Sequence, residues 1–204
     1  TVNFGSLADG SITITAFVDE DDMSSNSATL VPTQQSVKAY VDSQTGGGGS
    51  GGIVSTGTGN TAIGSSALNA VQSGAEKNTA LGFQAGKSLT IGDDNITIGY
   101  QAGQALTTVK GNIAIGNNAL NALTNYSDGT IHDLRTDNVA IGHESLYSLA
   151  EQANGFVAND NVCVGNRTGY AITTGYDNTL IGNSVGSAIN SGIFNTLVGS
   201  AAIQ

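Results

Sequence analysis

The sequence predicts an all-β chain: a parallel β-roll, or β-solenoid, of about eight two-strand rungs, preceded by a short strand and a helix. Three observations carry this expectation. The pattern Asn-x-x-x-Gly recurs eight times, a second aliphatic ladder runs in step with it, and 29 glycines stand beside only 11% charged residues. A fixed period of this kind marks an architecture built from stacked repeats.

The repeat begins at Asn60, Asn78, Asn95, Asn112, Asn138, Asn161, Asn178 and Asn195, with spacings of 18, 17, 17, 26, 23, 17 and 17. Counting each Asn as position zero, position three is always aliphatic: Ile63, Leu81, Ile98, Ile115, Ile141, Val164, Ile181 and Val198. A short β-branched run closed by Gly at position four reads as a strand ending in a turn. Position eleven repeats the aliphatic choice with Val71, Leu89, Leu106, Leu123, Leu149, Ile172 and Ile189. Each rung is therefore expected to supply two short strands, with Gly74, Gly92, Gly175 and Gly192 at the second corner. Strand side chains alternate, so position two points away from position three. It carries Ala62, Ala80, Thr97, Ala114, Ala140, Cys163, Leu180 and Leu197, a set unsuited to water. Positions three and eleven are expected inside the roll, and position two against a neighbouring chain.

Residues 1–45 form a separate N-terminal segment. SITITAFV reads as one strand with Ile12, Ile14 and Ala16 on one face. Asp19, Glu20, Asp21 and Asp22 follow as a solvated acidic turn, since no calcium-loop spacing accompanies them. Thr33 is an N-cap candidate after Pro32, and Val37, Tyr40 and Val41 fall at helical spacing. A helix of about three turns with so narrow an apolar stripe is marginal alone. A short collar against symmetry mates would bury it. The Gly-rich stretch 46–59 is a linker, and the repeat domain runs from 60 to 204.

Composition excludes several functions. The net charge of −10 repels nucleic-acid phosphates and anionic lipid. No apolar run approaches the ~18 residues that cross a bilayer. A single cysteine, Cys163, gives no intrachain disulfide. His132 with Asp128 and Asp133 lacks any nucleophile turn, and GGGGSGG lacks the Lys-Ser/Thr of a phosphate loop, so no enzyme and no cofactor are expected.

The stretch FVDEDDMSSNSATLVPTQQSVKAYVDSQ, and TQQSVKAYVD above all, resembles a segment of tail-fibre proteins of tailed phages, particularly those infecting marine cyanobacteria. The Asn-x-Ala-Ile-Gly rungs resemble those fibres and also the heads of trimeric autotransporter adhesins, which are left-handed parallel β-rolls. The adhesin rungs are shorter than the 17 residues here. The resemblance implies a homotrimeric structural fibre of a virion that contributes to host attachment. A bacterial surface adhesin is the alternative, and a glycan-cleaving tailspike a more distant one. Further fibre or tail proteins are expected at the chain ends.

Both long spacings fall after position eleven, beyond Leu123 and beyond Leu149. The two insertions are therefore expected side by side on one face, where repeat proteins often bind. The first holds Tyr126, Asp128, His132, Asp133, Arg135 and Asp137; the second holds Glu151, Gln152, Asn154, Phe156, Asn159 and Asp160. Such groups suit a host glycan or protein, brace a neighbouring chain, or are simply tolerated surface insertions.

Overall fold

Among the described residues, nine strands stand side by side in one sheet, and eight of them belong to the predicted rungs. The computed structural model describes residues 7–8, 13–14, 16–19, 30–46, 53–54, 59–123, 135–150 and 158–203. The chain forms two units, Thr1–Gly47 and Gly48–Gln204.

In the first unit, β1 (Leu7–Ala8) pairs antiparallel with β2 (Thr13–Ile14), and β3 (Ala16–Val18) pairs parallel with β4 (Leu30–Pro32). The single strand expected across SITITAFV is thus split between two small sheets. Helix α1 covers Gln34–Gly46, as the Val37/Tyr40/Val41 spacing predicts. Thr33 caps it: its Oγ1 accepts from Ser36 N at 3.1 Å. The carboxylate of Asp19 accepts from the hydroxyls of Thr33 (2.7 Å) and Ser36 (2.9 Å). Those bonds, Thr33 first, hold its pKa below the ordinary 3.8. One of the four clustered acids is therefore part of the helix start; Glu20, Asp21 and Asp22 lie outside the described residues.

In the second unit, β5 (Ile53–Val54) runs antiparallel to β6 (Thr61–Ile63) and covers its outer edge. From β6 the sheet continues in parallel through β7 (Thr79–Leu81), β8 (Ile96–Ile98), β9 (Ile113–Ile115), β10 (Val139–Ile141), β11 (Val162–Val164), β12 (Thr179–Asn183) and β13 (Thr196–Ser200). Equivalent positions pair throughout, so Ala114 faces Ala140 and Ala140 faces Cys163. The insertions leave this register intact.

Among the described residues, no rung forms the expected second strand. Positions six and eight both take left-handed backbone, as in Gln101 (φ 54°) and Gly103 (φ 57°), and an extended chain cannot contain them. That side is instead a run of turns, tied to the next rung by bonds such as Gly103 N to Ala119 O (2.9 Å) and Thr90 N to Thr107 O (2.8 Å). Position eleven still fills the core as expected: Leu89, Leu106, Leu123, Leu149 and Ile172 have no exposed surface.

The strand side of the core reverses the expectation. Position two is buried inside the roll: Ala114, Ala140, Cys163 and Leu180 are fully covered. Position three points outward. Leu81 is 44% exposed and Val198 70%, while Ile98 and Ile115 are half-buried. The cause is the Asn at position zero. Asn95 donates from N (3.0 Å) and Nδ2 (3.1 Å) to Oδ1 of Asn78, and from Nδ2 to Val109 O (2.8 Å). This bonding repeats along the solenoid and needs the carboxamide inside. Alternation then sends positions zero and two in, and one and three out.

Two compensations keep the thin core filled. Where position two is Ala, position eight is Leu in three rungs out of four: Ala62 with Leu68, Ala114 with Leu120, Ala140 with Leu146. Where position two is larger, position eight is Gly: Thr97 with Gly103, Cys163 with Gly169, Leu180 with Gly186. A Cβ on Gly103 would stand 2.6 Å from Thr97 Cγ2, and one on Gly186 2.9 Å from Leu180 Cδ1. Gly86, paired with Ala80, breaks the pattern because Leu68 and Thr97 fill its space from the adjoining rungs (2.9 and 3.1 Å). The terminal pair, Leu197 and Ile203, is also an exception. At the first corner, a Cβ on Gly82 would lie 2.5 Å from the carbonyl oxygen of Gly99, so position four admits no side chain on the first seven rungs.

Candidate functional site

The parallel register turns each repeat position into a column, so surface chemistry is arranged in stripes. Of the predicted loop residues, Tyr126, Asp128, His132, Asp133, Glu151, Gln152, Asn154 and Phe156 lie outside the described residues. The returning ends of both insertions are described. Arg135 bridges to Lys110 in parallel, and its Nε lies 3.5 Å from Asp137 Oδ1. Asp137 and Asp160, one from each insertion, occupy the same position on consecutive rungs, with Asp177 next in the column. Partial burial, then the charges of Asp177 and Asp137, raise the Asp160 pKa above 3.8. Asn159 Nδ2 donates to Asp160 Oδ2 at 2.7 Å. The structure thus brings Arg135, Asp137, Asn159 and Asp160 to one corner. Among the described residues, no group of His, Cys, Asp or Glu is arranged to hold a metal ion.

The corner after the strand gathers a second set. Tyr147 and Tyr170, both at position nine, stack with centroids 5.2 Å apart and planes 6° apart. The Arg167 guanidinium lies 4.3 Å over the Tyr170 ring, with Nε 3.4 Å from Glu144 Oε2. His143 is exposed, as its position-five location predicts, with Nδ1 4.0 Å from the same carboxylate oxygen. Cys163 is a packed group: burial pushes its thiol up to about 12, so the nucleophilic thiolate is scarce near neutral pH.

One surface feature lies on the side opposite to the one that sequence reasoning assigns. The outward face of the sheet carries position three on all eight rungs, plus Ile96, Ile113, Val139 and Val162 at position one of the middle four. Thr61, Thr79, Thr179 and Thr196 occupy position one toward the two ends. No Asp, Glu, Lys or Arg interrupts positions one and three. The available signal was the Asn itself: eight identical carboxamides at one strand position need a reason, and a buried ladder supplies one.

No known protein family matches the chain, and neither curated proteins nor solved structures give a significant match.

Proposed function

We propose that the chain is a structural segment of a homotrimeric fibre on a phage virion, contributing to host attachment rather than catalysing a reaction. One observation supports this most: an uncharged, mostly aliphatic sheet face on the outside of a roll that already has a buried core. Eight strands about 4.8 Å apart make that face roughly 34 Å tall and about 10 Å wide. Contiguous apolar surface of a few hundred Å² marks an interaction site. Covering it with the same face of other copies matches aliphatic rows to aliphatic rows with no charge to desolvate. The number three and the virion setting come from the resemblance to phage fibres and adhesin heads. The contact face is positions one and three, in place of the position-two face that the sequence alone suggested.

Light scattering tests the assembly. The parent protein is expected at three times its 20.4 kDa chain mass. Replacing Ile98 and Ile115 together by Lys puts charges on the outward face of two of the four middle strands. The variant is expected to keep its β-sheet circular dichroism and fall to the monomer mass. A monomeric parent sinks the proposal, as does a double variant that remains trimeric.

A further inference from the structure

The corner after the strand is chemically distinct on rungs two to four. Positions six and nine there hold Gln84 and Lys87, Gln101 and Gln104, Asn118 and Asn121. Five of these six side chains are carboxamides. The backbone does not require them: position six is left-handed on every rung, yet elsewhere it carries Ser66, Glu144, Arg167, Ser184 and Ala201. Left-handed backbone favours Asn but gives Gln no advantage. The core does not require them either, since all five are half-buried at the surface.

They are nevertheless held in place. Gln84 Oε1 accepts from Gln101 Nε2 (2.9 Å) and Gln104 Nε2 (2.8 Å). Asn121 Nδ2 donates to Gln101 O (3.0 Å) and Asn118 Oδ1 (3.3 Å). A carboxamide has two N–H groups and an oxygen with two lone pairs, so these bonds leave donors and acceptors side by side at the surface. Tyr100, at position five beside Gln101, is 47% exposed and stacks at 5.4 Å on Phe83.

We infer that this strip binds a neutral oligosaccharide. Adjacent hydroxyls of a sugar each donate and accept, as adjacent carboxamides do, and the Tyr100 ring offers apolar surface to sugar C–H groups. Because the amides are already fixed by one another, little side-chain freedom remains to be lost on binding. In a chain of net charge −10, a strip whose only charge is Lys87 selects against a requirement for ligand charge. The inference gives the attachment reading its ligand class and rests on that reading for its biological setting only. It places recognition on a different corner from the insertions.

The test is saturation-transfer NMR of the full chain with neutral hexasaccharides of glucose, mannose and galactose. Transfer to at least one of them is expected. The Gln101→Ala/Gln104→Ala variant should weaken it about tenfold, as expected for losing two hydrogen-bonding amides. Ser184→Ala, at position six of rung seven, should leave it unchanged. Melting temperature and mass are measured on the same samples. No transfer from any of the three sugars, or equal transfer in the double variant at unchanged melting temperature, overturns the inference. A trimer that binds no sugar sinks this inference alone, and a monomer that binds one sinks only the fibre reading.

Discussion

Asn161 donates from its backbone N (3.1 Å) and its Nδ2 (3.0 Å) to the Oδ1 of Asn138, 23 residues earlier. Asn95 makes the same two bonds to Asn78 across only 17 residues. One buried column of carboxamides therefore sets the register of the roll, whatever length of chain separates its members.

Removing one member should be costly. With Leu at position 161, the backbone N of Asn178 loses its acceptor (3.3 Å) and Gly175 O loses its donor (2.9 Å). Each orphaned buried group costs about 1–3 kcal/mol. Asn161→Leu is expected to destabilise the roll by roughly 3–5 kcal/mol in chemical denaturation. A loss below ~1 kcal/mol would show that the column is dispensable.

Core volume should be exchangeable within a rung. Leu180→Ala leaves a cavity worth about 2–5 kcal/mol, and Gly186→Leu alone drives a side chain into Leu180. The double variant recreates the Ala/Leu pair of rungs one, four and five. It is expected to recover at least half of the summed loss in a double-mutant cycle. Simple additivity would contradict the pairing.

Glycines of similar backbone conformation should differ sharply. Gly74 (φ 110°) has open space where a Cβ would go, whereas at Gly116 (φ 133°) a Cβ meets the carbonyl oxygen of Gly142. Gly74→Ala is expected to cost about 1 kcal/mol, from backbone strain alone. Gly116→Ala should cost about 3 kcal/mol or more, because adjacent strands must separate. Equal melting temperatures for the two variants would contradict this.

The two shifted carboxylates give opposite pH signatures. The folded pKa of Asp160 is raised, so its stabilising contribution is complete below about pH 3.8 and is lost as pH rises through the higher folded value. Asp160→Asn should therefore raise the melting temperature at neutral pH and have little effect in strong acid. Asp19 is depressed, so its contribution is present above pH 3.8 and is lost as pH falls through the lower folded value. Asp19→Asn should weaken the first unit at neutral pH, read as lost helical circular dichroism. The same sign for both substitutions would refute the assignment.

The sequence showed the rung count, the parallel stack, helix α1 and the buried position-eleven ladder, because each follows from a period. Facing did not follow from size. Ile98 looked like core and Ala114 like a contact surface because large aliphatics usually lie inside. Here Leu120 and Leu123 fill the rung of Ala114 from its other side and leave room for no more than Ala on that strand. The missing second strand was hidden as well, because no spacing reveals that Gln101, Asn118 and Glu144 adopt left-handed backbone. Of the two insertions, residues 124–134 and 151–157 lie outside the described residues. Their described ends contribute only Arg135, Asp137, Asn159 and Asp160 to a common corner, whereas the amide strip lay within ordinary rungs and broke no period.

Leu123 and Arg135 mark where the first insertion leaves the roll and where the described chain rejoins it, and Thr136 then bonds straight to Asn112 (2.7 Å). The ladder closes behind the insertion as it does on a rung with none. Closing a flexible loop grows costlier only with the logarithm of its length, about 0.6 kcal/mol per doubling. That corner therefore behaves as a splice port. Lengthening the chain between Leu123 and Arg135 is expected to leave the rungs on either side in phase.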